Sequence, residues 1–344
     1  MEEFKNKQIE ATKNLVDKGV TSTKGLVDKG VTSTKGFVGR KVNEAMNFIQ
    51  QLALVTLGVL LIFGLFKYFV FSGKVEPISP FRNIEIEADA IALKISRGDK
   101  FHLDIERDKD DNILSYEVLD DTLYIDHEVA SKKFFSWFGS DAETYVYNIE
   151  IFIPEETDLG DINIIARNVA TIEIDDVLTN QLNITTHIGA IEFKGEVISD
   201  TNITTNIGAV VIEGTLNGTT NIDTEMATIE ITGEVNGETT LNSNKGTILI
   251  NGSIDGQTDI NNILGAVEIT GKLSGDMNIN TEFGAILIDT PQNRYDLDYH
   301  LSSLIPAIYL NETSVGTSYN TFDAEAIATL NINVEKGSIE ISTK

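Results

Sequence analysis

The sequence predicts an all-β protein: a β-solenoid (β-helix) with an N-terminal β-rich cap region, preceded by one transmembrane helix and an amphipathic helical tail. Three observations predict it. From about Asp161 onward, units of 18–20 residues recur with the same apolar spacing, the mark of stacked supersecondary repeats. Before that, apolar and polar residues alternate with period two, as in half-buried strands. Ahead of both, Ala45 to Phe66 carries no charged residue.

Residues 1–44 form the tail. Leu15 to Gly25 reads Leu-Val-Asp-Lys-Gly-Val-Thr-Ser-Thr-Lys-Gly, and residues 26–36 repeat it without a change. A degenerate third copy opens at Phe37-Val38-Gly39-Arg40. An 11-residue period keeps one helical face aligned. The apolar side of that face holds Leu15, Val16, Val20, Leu26, Val27, Val31, Phe37 and Val38; Lys18, Lys24, Lys29 and Lys35 supply the charge. A narrow apolar stripe with lysines suits a lipid surface. The repeat resembles the 11-residue lipid-surface repeats of synucleins and perilipins in period and in Lys, Thr and Gly content. Each glycine costs about 1 kcal/mol against helix, so the expected helix forms on a membrane or partner. The competing reading is a flexible basic linker.

Residues 45–71 form the span. Leu52, Leu54, Leu57, Leu60, Ile62, Phe63 and Phe66 lie in a run long enough to cross a bilayer, and Tyr68 opens an aromatic belt. Lys67 stands where its stem can reach the headgroups. Lys35, Arg40 and Lys41 precede the span and Lys67 and Lys74 follow it, so orientation rests on the acidic body and the missing cysteines, which place the N-terminus in the cytoplasm and the body outside it. A linker covers 72–82.

Residues 83–159 form the β region that precedes the solenoid. Asn83–Ala88, Ala92–Ser96, His102–Glu106, Leu123–Ile125 and Tyr145–Pro154 read as strands. Lys132-Lys133-Phe134-Phe135-Ser136-Trp137-Phe138-Gly139 reads as an aromatic loop with the only Trp.

Residues 160–344 form the solenoid, about nine or ten rungs at about 19 residues each. Alignment of the units gives inward ladders. Ile184, Ile203, Ile222, Leu241, Ile260 and Ile279 form the first. Ile191, Val210, Ile229, Ile248, Val267 and Ile286 form the second, and Phe193, Ile212, Ile231, Ile250, Ile269 and Ile288 the third. Thr186, Thr205, Thr224, Ser243, Asn262 and Thr281 mark a polar inner corner; Gly189, Gly208, Gly246, Gly265 and Gly284 mark a bend. An outer column, Glu192, Val211, Glu230, Leu249, Glu268 and Leu287, alternates its glutamates, which at about 4.8 Å per rung spaces like charges apart. A solenoid end exposes unpaired edge strands, and no cap is evident after Ile341, which permits end-to-end stacking or a short, frayed end.

Charge divides along the same lines. Residues 1–74 hold eleven Lys/Arg against six Asp/Glu, a net of +5; residues 75–344 hold fifteen against forty-seven, a net of −32; together they give −27. An acidic body argues against nucleic acid. The absence of cysteine excludes disulfides, thiolate nucleophiles and cysteine metal sites. With only His102, His127, His187 and His300, no metal or cofactor is expected.

Tyr147-Asn148-Ile149-Glu150-Ile151-Phe152-Ile153-Pro154, the Leu123-Tyr124-Ile125 strand and the run of Gly-Ala-Ile/Val-x-Ile motifs resemble the bacterial putative adhesin family, which includes head-GIN and Lia-type envelope domains of unknown function. The resemblance covers roughly residues 80–344. It implies a β-solenoid tethered beside a membrane segment and supplies no catalytic residues. The repeated tail departs from it.

The expected function is therefore a membrane-anchored, non-enzymatic scaffold or adhesin of the cell envelope. Its partners would be the bilayer and either further copies of itself or other envelope proteins. An envelope-stress sensor is the alternative. A β-helix enzyme acting on polysaccharide is a third reading, in which the column Asn183, Asn202, Asn221, Thr240, Asp259 and Asn278 would meet glycans; the same column reads equally well as a solvated face. His187 reads as a surface residue.

Overall fold

The computed structural model describes residues 74–106, 114–127 and 147–344, nearly all of them in β-strands. The tail, the span and the aromatic loop at 132–139 lie outside the described residues, and so do the tail and membrane-anchoring side chains named above. Among the described residues no helix is long and apolar enough to cross a membrane. The strands form a large, mostly parallel sheet, an arrangement consistent with a β-solenoid. They divide into two compact units. One holds the described part of Phe69–Thr224 with Glu230–Thr240; the other holds Glu225–Ile229 with Leu241–Lys344.

In the first unit the stacking register is the sequence period. Strand β7 (Leu159–Val197) pairs in parallel with β8 (Thr201–Leu216), and Ile184 meets Ile203, Ile191 meets Val210 and Phe193 meets Ile212. Each pair is 19 residues apart, so chemically equivalent side chains stack directly. Ile184, Ile203, Ile222, Ile191, Val210, Phe193, Ile212 and Ile231 are all buried. Burying one such side chain is worth roughly 1.5–3 kcal/mol, and one strand alone has nothing to bury it against. The corners need close backbone stacking. Gly208 (φ +149°) and Gly214 (φ +145°) both lie in the region that favours glycine, and a Cβ on either would run into the carbonyl oxygen of Gly189 or Gly195. The predicted bend at Gly208 is one such corner; the one at Gly214 was not separated from the strand that precedes it.

The outermost rung of this unit is β2 (Asn83–Gly98), one bent strand where the sequence suggested two, with a register shift between Ala88 and Ala90. One edge pairs with β7. The other is covered in halves: β5 (Thr122–His127) lies parallel to Asn83–Ala88, and β6 (Tyr147–Pro154) lies parallel to Ile91–Gly98. An antiparallel strand follows on each half. β4 (Leu114–Leu119) closes on β5 through Asp120 and Asp121, both at positive φ. β3 (His102–Glu106) closes on β6, and β1 (Lys74–Pro77) on β3.

In the second unit β11 (Thr258–Asp289) pairs in parallel with β16 (Ala328–Ser342), and Ile279 meets Ile332, Ile286 meets Ile339 and Ile288 meets Ile341. Leu241, Ile260, Ile279, Ile229, Ile248, Val267, Ile286, Ile250, Ile269 and Ile288 are buried here. The partners are now 53 residues apart, because residues 290–327 leave the stack. This corrects the reading of an uncapped end at Ile341. The far edge of β16 is covered by β12 (Leu297–Ser303) on its first half and β13 (Ile308–Leu310) on its second. Antiparallel β15 (Ser318–Asn320) and β14 (Thr313–Gly316) lie on those. Residues 290–327 therefore form no rung of the repeat, which also lowers the rung count expected from length. The physical reason is the edge itself: a bare parallel rung presents a row of unpaired N–H and C=O groups, and short antiparallel strands end that row.

Candidate functional site

The outward columns are hydrogen-bonded to themselves. In the first unit the Asn183 side-chain amide donates to Asn163 Oδ1 at 2.8 Å, Asn202 donates to Asn183 at 2.9 Å, and Asn221 donates to Asn202 at 3.1 Å. In the second, Asn278 donates to Asp259 at 2.7 Å and Asn331 to Asn278 at 3.0 Å. A neighbouring file runs Asn280 to Asn261 at 3.3 Å and Asn261 to Asn242 at 3.0 Å. An amide ladder of this kind follows from parallel in-register stacking, and each bond polarises the next. Of the column that could meet glycans, Asn183, Asn202, Asn221, Asp259 and Asn278 are thus engaged along the stack. His187 is exposed, with Nδ1 3.0 Å from Asn206 Nδ2.

Glu192, Glu230 and Glu268 of the glutamate column are half-buried, and Glu192 and the carboxylates near it have lysines beside them. Lys94 Nζ stands 3.8 Å from both Glu150 and Glu173, and Lys194 Nζ stands 3.1 Å from Glu192 and 3.7 Å from Glu213. Glu150 also accepts a hydrogen bond from Ser96 Oγ at 3.1 Å. Burial pushes the Glu150 carboxyl above its ordinary range, against the pull of Lys94. The sequence placed Glu192 in the outer column but neither lysine beside these carboxylates: Lys194 lies two residues along the same strand, and Lys94 lies on β2.

The inner corner is polar and buried, and includes Thr186, Thr205, Thr224, Ser243, Asn262 and Thr281. Asn262 Nδ2 donates to the carbonyls of Gly246 at 3.1 Å and Ala266 at 3.2 Å. A second buried file, which spacing did not single out, contains Thr201, Thr220 and Thr239; their hydroxyls have no hydrogen-bond partner among the described residues.

Arg97 joins three turns of the first unit. Its Nε donates to Asp176 C=O at 2.6 Å, and its Nη1 donates to Pro154 C=O at 3.0 Å and Thr157 C=O at 2.7 Å. One guanidinium thus fixes both the chain's return from β6 and a corner where Asp176 has φ +56°.

In the second unit a polar group gathers on β12. Asp298 is buried, and its Oδ1 accepts from Thr321 Oγ1 at 2.6 Å and Tyr299 N–H at 3.1 Å, while Oδ2 faces His300 Nε2 at 3.4 Å. The Thr321 hydrogen bond is the largest cause that holds this carboxyl below its ordinary value; the Asp323 backbone adds to it. Burial pushes the Tyr299 hydroxyl up to about 12. The Tyr299 and Tyr319 rings meet edge-on at 5.8 Å, and Arg294 donates to Tyr319 Oη at 3.3 Å. Asp298 and His300 are two apart on one strand, the only sequence signal, and it reads as ordinary alternation. Their partners come from 23 residues away, out of reach of a local pattern.

No family model matches the chain, and no curated protein matches it. Solved structures similar in part include the following two. One is a putative adhesin from Bacteroides fragilis, at 12% identity and a TM-score of 0.34, over 79% of this chain and 95% of that one. The other is a putative cell adhesion protein from Clostridium sporogenes, at 12% identity and a TM-score of 0.19, over 79% of this chain and 98% of that one.

Proposed function

We propose that this chain is a membrane-anchored structural protein of the cell envelope, adhesin-like and non-enzymatic, that associates with itself. Residues 45–71 span the bilayer, the 1–44 repeats lie on its cytoplasmic surface, and the acidic β-repeat stands outside. The observation that carries the reading is the set of amide ladders. Outward side chains that elsewhere would converge on a substrate are bonded rung to rung, which suits a stiff wall. The charge division supports the same reading: a basic segment beside anionic headgroups, and an acidic body that stays dispersed. The apolar run ends only a few residues before β1 begins at Lys74, so the body would stand against the membrane without a long tether.

The test is extraction and topology together. Full-length protein tagged at each end should remain in the membrane pellet after alkaline carbonate washing. Protease added to intact cells should remove the C-terminal tag and spare the N-terminal one. Release into the carbonate supernatant overturns the anchor, and the opposite pattern of tag loss overturns the orientation.

A further inference from the structure

Among its described residues the second unit leaves five large apolar side chains exposed, and three of them, Tyr295, Phe322 and Ile327, lie on segments joined by backbone hydrogen bonds. Phe322 is 88% exposed, Tyr295 74% and Ile327 51%. Backbone bonds draw their segments together: Ile327 N–H donates to Asp296 C=O at 2.8 Å, and Thr321 N–H donates to Tyr299 C=O at 2.9 Å. Each segment is also fixed. Asp298 grips the residues on both sides of Phe322, through Thr321 Oγ1 at 2.6 Å and the Asp323 backbone. The Asp323 carboxylate accepts Glu325 N–H at 3.0 Å, and its carbonyl accepts Ala326 N–H at 3.2 Å. Tyr295 rides on a short turn whose first residue, Asn293, accepts Tyr295 N–H at 3.1 Å. Ordering such a loop costs conformational entropy, and an exposed phenyl ring returns little of it within the fold. Aromatic side chains held rigid before binding are what interface anchors share.

The rim is acidic, with exposed Asp296, Asp323 and Glu325, and Arg294 over the Tyr295 ring at 5.4 Å. The surface therefore fits an aromatic segment that carries cations. Residues 75–344 contain one adjacent pair of cations, Lys132-Lys133, and four aromatic residues follow within five positions. We propose that Tyr295, Phe322, Ile327 and their carboxylate rim form the docking surface for residues 128–146 of a second copy of this chain. The proposal rests on the self-associating reading above and names the surface it uses. The segment lies between His127 of β5 and Tyr147 of β6, and nineteen residues can reach out about 30 Å and return. Two different patches meet, so the contact closes a pair where it is reciprocal and extends into a ring or an open row where it is not. Patch against patch would set carboxylate against carboxylate.

The chain has no cysteine, so introduced ones report cleanly. Full-length Ser136→Cys and Ala324→Cys chains, with tags of different size, are co-expressed in membranes and oxidised mildly. A mixed disulfide dimer is expected, at least tenfold above a control in which the second cysteine is Asn251→Cys on β10 (Thr239–Asp255). Adding Phe322→Ser to the Ala324→Cys chain should lower the yield about tenfold, the effect of losing an interface anchor. A mixed dimer no more abundant than the control overturns the proposal, as does one indifferent to Phe322→Ser. Labelling of residues 132–138 by a lipid-phase photoprobe in place of the cross-link assigns that segment to the bilayer and overturns it too. Carbonate extraction does not depend on Phe322, so a failed cross-link leaves the membrane reading separately testable.

Discussion

At the scale of single residues, the stack multiplies small effects because each position recurs. Thr201, Thr220 and Thr239 bury hydroxyls that lack a partner among the described residues, and an unmet buried polar group costs about 1–3 kcal/mol. Thr220→Val keeps the branched shape and removes the hydroxyl. It should raise stability by about 1 kcal/mol, read as a higher urea midpoint at unchanged slope; a lower midpoint would mean that the hydroxyl is satisfied. Asp298 works the other way. Its carboxyl is held below the ordinary 3.8 in the folded state, so its contribution is present above that value and is lost as pH falls through the depressed one. Asp298→Ala should therefore melt below the wild type from pH 7 to about pH 5, with the gap closing below about pH 4. A gap of constant size down to pH 3 would contradict the ionised clamp. Neither site was legible in the sequence. A buried threonine and a solvated one look alike in an alternating strand, and the partners of Asp298 are remote.

At the scale of elements, the caps decide where the repeat stops. Both end rungs are covered in halves by parallel strands, each followed by an antiparallel one, and both hairpin turns use non-glycine residues at positive φ: Asp120 and Asp121 in one, Asn311 and Glu312 in the other. Arg97 fixes the first cap to the rung beside it. Arg97→Lys keeps the charge and loses the fork that reaches three carbonyls. It should cost roughly 1.5–3 kcal/mol and speed amide exchange at Thr157 first; protection at Thr157 equal to wild type would remove the clamp from the account. The strands that alternate cleanly, such as Tyr147–Pro154 and His102–Glu106, could be read from sequence. β4 was missed, because Leu-Ser-Tyr-Glu-Val-Leu is a strand only beside β5. The second cap was missed because its segment looks like a fading repeat.

At the scale of the whole molecule, the sequence determined the chemistry of the repeat. A 19-residue period with apolar residues at fixed offsets leaves one economical way to bury them, equivalent residue over equivalent residue, so the inward columns follow from spacing alone. The same sequence carries the apolar run and the divided charge on which the proposed anchor rests. Tertiary structure decided what spacing cannot express. It inserted β16 between β11 and a cap drawn from the residues that precede it in the chain, since a final strand is better covered on both edges than left open. It turned polar outward columns into hydrogen-bonded ladders, since 19-residue stacking brings each amide within reach of the next. It also fixed Phe322 in the open, on a segment held by the Asp298 carboxylate of β12. Local pattern records which residues seek burial; which edges close, and which side chains remain outside, depends on partners distant in sequence.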